Sequence, residues 1–130
     1  MVQNFVQVAY REGVFQFDSN AFQKDKTIGV GLNPIMKTDS MSEDLLSLQL
    51  TVDYECEGRK VMKYGGVAMF KVDGLKDSLN TEEFKIFIWS QVMMFFRGIV
   101  CEKLRGTEIE RSLLPNIPHD KILEIPIQES

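Results

Sequence analysis

The clearest pattern in the chain is a strict alternation between positions 46 and 56. Leu46, Leu48, Leu50, Val52, Tyr54 and Cys56 fall on one face, and Ser47, Gln49, Thr51, Asp53 and Glu55 on the other. Successive side chains of a strand point to opposite faces, so this predicts a strand with one buried and one wet side. Parallel sheets are usually covered on both faces, and the wet side therefore argues for an antiparallel sheet. Glu57-Gly58-Arg59 supplies a tight turn into a further strand, Lys60 to Val72, and the two are expected to pair as a hairpin. Gly65-Gly66 within the second strand suggests a bulge or kink there. Upstream, Phe5 to Tyr10 and Val14 to Phe17 read as two short apolar-alternating runs separated by Arg11-Glu12-Gly13. Ile28, Val30 and Leu32 alternate with Gly29, Gly31 and Asn33, a strand signal weakened by its glycines.

After Gly74 the period changes. Asn80 or Thr81 is placed to cap a helix, with Glu82 and Glu83 in its first turn, where carboxylates are favoured. Helical residues run to Leu104, and Arg105-Gly106 supplies the stop. The predicted helix has about 24 residues and a length of roughly 36 Å. Phe84, Ile86, Phe87, Ile88, Trp89, Val92, Met93, Met94, Phe95, Phe96, Ile99 and Val100 cover nearly its whole circumference. A surface helix needs one apolar stripe. A helix apolar all round must be covered on all sides, which one small sheet does not provide. Association of copies through Ile88, Trp89, Val92, Met93, Phe95, Phe96, Ile99 and Val100 is the expectation; N-terminal loops folded over the second face are the alternative.

The remaining segment is punctuated by proline. Leu113-Leu114-Pro115-Asn116-Ile117-Pro118 reads as an apolar loop rather than regular helix. Leu123, Ile125 and Ile127 alternate around Glu124 and Pro126, which predicts an extended tail.

Composition narrows the class. The 130 residues suit one domain spanning 1–130, with 44% hydrophobic and 26% charged residues as in ordinary globular chains. The formal net charge is −4, and no Lys/Arg cluster with interleaved aromatics occurs, so nucleic acid is not an expected partner. The N-terminus shows no basic segment followed by an apolar run, which argues against a signal peptide. Phe84 to Val100 is shorter than a membrane span and interrupted by Lys85, Ser90, Gln91 and Arg97, so insertion into a membrane is not expected. Cys56 and Cys101 read as reduced core thiols of a cytoplasmic protein.

Candidate chemistry is sparse. The paired carboxylates Glu82-Glu83 and Glu43-Asp44 sit at a helix start and beside a strand start, where capping or solvation accounts for them. No nucleophile elbow, P-loop, CxxC or HExxH spacing occurs. Gly29-Val30-Gly31 lacks the third glycine and following helix of a dinucleotide site. His119, between Pro118 and Asp120, reads as a solvated loop residue with no partner for a triad or metal site. No catalytic residue, cofactor or metal is expected.

Three strings, in order, resemble the SecB-like chaperone family. Gly65-Gly66-Val67-Ala68-Met69-Phe70-Lys71-Val72-Asp73-Gly74-Leu75 is similar to that family's glycine-rich strand. Met94-Phe95-Phe96-Arg97 falls at the place of its Phe-Pro-Tyr-x-Arg stretch, without the proline. Leu104-Arg105-Gly106-Thr107, followed by Leu113-Leu114-Pro115-Asn116-Ile117, resembles its helix end and Leu-x-Pro loop. Coverage runs from about Leu46 to Ile117. The resemblance implies an α+β fold with a four-stranded antiparallel sheet, one long apolar helix and a proline-containing C-terminal loop. It implies a homotetramer built as a dimer of dimers, with the helices sandwiched between sheets. It also implies a non-enzymatic holdase that binds unfolded or extended polypeptides in apolar grooves, with Ile109, Leu113, Leu114, Ile117 and Ile122 as lining residues.

Two departures from the family are visible. The family's second amphipathic helix has little room between Pro118 and Pro126. Lys63 stands where the family carries an acidic residue for the motor SecA, a charge reversal that argues against delivery to SecA. Two alternatives remain open. One is a small-ligand or hot-dog-like enzyme domain using Glu82 or Glu83. The other is an assembly protein for one dedicated partner, such as an antitoxin chaperone.

Overall fold

The computed structural model describes residues 4–129, and the elements run in the order predicted, with additions just before the long helix and at the C-terminal end. The strands are β1 (Phe5–Phe17), β2 (Ile28–Asp39), β3 (Ser42–Cys56), β4 (Arg59–Val72) and β5 (Ile127–Glu129). The helices are α1 (Leu75–Ser78), α2 (Glu82–Lys103) and α3 (His119–Glu124). The chain is thus α+β, with a mixed sheet in the order β1-β4-β3-β2-β5. The sheet has five strands rather than the expected four. Every pairing is antiparallel except the last, in which β5 lies parallel to β2.

The alternation in β3 does what its pattern predicts: Leu46, Leu48, Leu50, Val52, Tyr54 and Cys56 are all fully buried. The turn to β4 holds Glu57 at φ 51° and Gly58 at φ 79°. Two left-handed residues in a two-residue loop match the right-handed twist of the flanking strands, so this turn fixes the hairpin register. Residues directly opposite in an antiparallel pair share a face. The partners of the β3 core residues, Met62, Tyr64, Ala68 and Phe70, therefore join them inside.

Near the N-terminus the two expected runs form one strand. Phe5–Phe17 is continuous, and Arg11-Glu12-Gly13 is a bulged stretch, not a break. The register of β1 slips between Gln7 and Ala9 and again between Glu12 and Val14. The second slip lies opposite Gly65-Gly66, so the extra residue sits in β1 and not in β4 as the paired glycines suggested. Gly66 instead provides space. A Cβ there would lie 2.8 Å from Cζ and 3.1 Å from Cε1 of Tyr10. That ring stacks edge-on against Phe95, with centroids 5.0 Å apart, and against Phe96 at 6.0 Å. The hydroxyls of Tyr10 and Tyr64 hydrogen-bond each other beneath the helix. Burial raises the pKa of both, and it pushes Tyr54 up to about 12.

α2 begins at Thr81, whose side chain accepts from the Phe84 amide, and it stops before Gly106 at φ 79°. Its 22 residues span about 33 Å. By length and composition it would cross a membrane, yet Phe84, Ile88, Trp89, Val92, Met93, Phe96 and Val100 are buried in the core beneath it. Ile109, Leu114, Ile117, Ile122 and Ile125 belong to that same core. The C-terminal segment, not a set of N-terminal loops, covers the second flank of the helix. Two cations fasten it there. Arg97 Nε donates to the Leu114 carbonyl at 3.0 Å, and its guanidinium also reaches Asn116 Oδ1. Lys85 Nζ donates to the carbonyls of Leu123, at 3.1 Å, and Ile125. Burial of that amine lowers its pKa.

The tail departs from an extended reading in one respect. Residues 119–124 form a short helix, so a second helix does fit between the prolines. Pro118 precedes its first turn, where a missing N–H costs nothing. His119 therefore opens a helix and is not a loop residue, although it is exposed.

Candidate groove between the second strand and the C-terminal segment

β2 was the weakest strand signal, and it borders an open apolar groove. Ile28, Val30, Leu32 and Pro34 lie opposite Cys56, Tyr54, Val52 and Leu50, so they point to the core side of the sheet. Their partners are fully buried, while they themselves are only half-buried. Between this stripe and the C-terminal segment runs an open groove of about 450 Å³. Val30, Leu32 and Pro34 form one wall, and Ile117, Pro118, Ile125 and Pro126 the other, with Lys121 and Glu124 also lining it.

A second cleft of about 340 Å³ lies on the other side of the same segment, against α2. Trp89, Met93, Met94, Arg97, Asn116 and Ile122 are among its lining residues, and Ile117 contributes to both clefts. The C-terminal segment is thus a partition with a cleft along each side, pinned by Arg97 near one end and Lys85 near the other.

The lining residues expected from sequence divide sharply. Leu113 is 67% exposed and lines neither cleft. Ile109 and Leu114 are buried in the core and do not reach the groove. Ile117 lines both clefts and Ile122 the second, each largely buried. Val30, Leu32, Pro34, Ile125 and Pro126 were not singled out. The usable signal was the apolar alternation of Ile28, Val30 and Leu32, which the interleaved glycines obscured.

Of the residues expected at an interface between copies, Ile88, Trp89, Val92, Met93, Phe96 and Val100 lie inside the chain's own core, and Phe95 and Ile99 are half-buried. The solvent-facing surface of α2 presents Phe87, Ser90, Gln91, Met94, Gly98 and Cys101. Cys101 is exposed, in contrast to its expected core position, whereas Cys56 is buried. Met94 is 65% exposed.

Glu82 and Glu83 both face solvent at the start of α2. A hot-dog-like enzyme would hold such a carboxylate in a closed pocket away from water, and neither residue lines one of the clefts described. Among the described residues, no group of three or more His, Cys, Asp or Glu is placed to hold a metal ion. Lys63 is half-buried on β4, opposite Asp53 of β3 and Gln16 of β1.

No protein-family model matches the chain. No curated protein matches its sequence either. Among solved structures, the fold is similar to that of the Mycobacterium tuberculosis Rv1957 SecB-like chaperone, solved in complex with a ChAD peptide from the Rv1956 HigA1 antitoxin. The two share 8% identity over 88% of each chain, with a TM-score of 0.49.

Proposed function

We propose that this chain is a SecB-like holdase that binds extended, non-native polypeptide without catalysis. The groove beside β2 carries the reading. It is open to solvent, about 450 Å³ in volume, and walled by Val30, Leu32, Pro34, Ile117, Ile125 and Pro126. Burying apolar side chains against such walls is favourable in proportion to area and non-directional. A site of this kind holds many sequences with modest affinity and little shape selectivity.

The reading includes self-association as a dimer of dimers. In it the contact surface of α2 is Phe87 and Met94, flanked by the half-buried Phe95 and Ile99. Lys85 and Arg97 have turned inward to backbone carbonyls, which leaves this face without a basic residue between Glu83 and Glu102.

The decisive experiment is thermal aggregation of an unfolded client. Substoichiometric protein should suppress light scattering; no protection at any ratio would sink the holdase reading. Pull-down from cells separates a general holdase from a dedicated assembly protein. A heterogeneous set of clients supports the first, and one stoichiometric band the second. Light scattering on a sizing column should give a mass near four times 14.9 kDa, and a monomer would remove the tetramer.

A further inference from the structure

The sheet ends on the groove side with a strand that barely belongs to it. Among the described residues β5 pairs with β2 at three positions, Ile127 opposite Met36, Gln128 opposite Lys37 and Glu129 opposite Thr38. All three β5 residues are exposed. The residue before them, Pro126, falls in register opposite Ile35 and has no N–H to give, so the pairing stops there. Among the described residues, no strand lies beside the outer edge of β2 over Ile28–Ile35. Immediately along that stretch lies the apolar groove, whose second wall, Ile117 to Pro126, is the segment leading into β5.

We propose that β5 is a self-bound stand-in for the client. On this inference the β2 edge takes an extended polypeptide as an added parallel strand, and undocking of β5 opens the edge from 28–35 to 28–39. It rests on the reading of the groove as a polypeptide site, and it supplies the binding mode and the regulation of that site. The occupant is argued from the chain itself: the one segment seated on this edge is an extended, apolar-polar backbone run in parallel register. An added strand gains backbone hydrogen bonds that are indifferent to sequence. Its alternate side chains fall on the core side, beside Val30, Leu32 and Pro34, and enter the groove. Pairing that is exposed throughout and stops at Pro126 makes β5 a weak competitor, which is what a displaceable strap requires. A client that needs the full 28–39 edge binds only the undocked state, so a strap docked nine-tenths of the time weakens its apparent affinity about tenfold.

The test locks and releases β5 in the full chain. Lys37→Cys and Gln128→Cys place thiols at paired positions, in a Cys101→Ser background so that the exposed native thiol does not interfere. The probe is a dye-labelled, strand-length peptide of alternating Val and Lys, read by fluorescence anisotropy beside the unmodified chain. Oxidation should weaken binding about tenfold or more, and reduction should restore it. Equal affinity in the oxidised and reduced states would overturn the inference while leaving the holdase reading intact. If the thiols fail to join, a chain ended at Pro126 decides: about tenfold tighter binding supports the strap, and unchanged affinity overturns it. Failure of the unmodified, reduced and shortened chains alike to bind the peptide would remove both the polypeptide site and its strap.

Discussion

Gly66 makes a quantitative prediction because the cost of one added methyl is spread over identifiable contacts. In Gly66→Ala the new Cβ would sit within 2.8 Å of the Tyr10 ring, well inside normal contact. The β4 backbone is fixed between β1 and β3, so the ring must move. Moving it breaks the hydrogen bond to Tyr64, which contributes about 1 kcal/mol. It also disrupts the edge-on contacts with Phe95 and Phe96, about 0.5–1.5 kcal/mol each. Alanine returns about 0.5–1 kcal/mol by restricting the unfolded chain. The net loss is about 2 kcal/mol. Urea unfolding followed by Trp89, the one tryptophan and fully buried, measures it directly. The decisive control is the double-mutant cycle with Tyr10→Ala. Once the ring is gone, Gly66→Ala should be neutral or slightly stabilising. An undiminished penalty in that background would show that the methyl strains the strand itself, and the account given for Gly66 would be wrong.

Three further outcomes are expected. Lys85→Met leaves the carbonyls of Leu123 and Ile125 without their charged donor, a loss of about 2 kcal/mol. It should appear as faster hydrogen exchange at residues 119–125 with β3 unchanged, and uniform loosening of the whole chain would refute a local clamp. All three tyrosines have pKa values raised by burial, Tyr54 to about 12. The folded state therefore favours the neutral phenol, and this stabilisation is complete below the ordinary value of 10.0 and lost as pH rises through about 12. The folded protein should show little tyrosinate absorbance at pH 10, and a midpoint at that pH for all three would contradict their burial. Leu48→Ala, at a position with no exposure, should cost about 3 kcal/mol, while Leu113→Ala should change stability by less than about 0.5 kcal/mol. Comparable urea midpoints for the two variants would refute the assigned core.

What could be read from the chain alone followed the strength of local constraint. β3 was legible because every second residue is fully buried, and the β3–β4 turn because it needs left-handed residues. The Thr81 cap and Gly106 stop bounded α2 to within two residues of the expected length. The misreadings have physical causes. The bulge at Gly13 shifts the alternation of β1 by one residue, so one strand looked like two. Gly66 answers to a ring 56 positions earlier in sequence, and no local rule reports that. α3 is six residues long, too short for a helical period to show. The groove was half legible: Ile117 was singled out, but the opposite wall, Val30, Leu32 and Pro34, hid in a strand diluted by glycine. Ile109 and Leu114 are buried and line neither cleft, because sequence does not distinguish an apolar residue that covers a helix from one that faces a groove.

The two borders of the sheet are unlike, and this bears on how the protein avoids becoming its own aggregate. On one border β1 is interrupted at Val8 and Gly13, and each slip kinks the row of backbone groups facing outward. Lys103 reaches over from α2 to pair with Glu12 at 2.8 Å and to rest over the Phe15 ring, adding bulk and charge at this margin. At the other border, β2 is regular from Ile28 to Thr38, with β5 beside it at Met36 to Thr38. Growth of an endless ribbon needs two flat margins that match, one from each neighbour. A molecule with one flat and one broken margin accepts a strand yet offers none in return. On the proposed reading, copies of the chain then cannot template one another edge to edge, and the apolar groove stays open without building a ribbon of the protein itself.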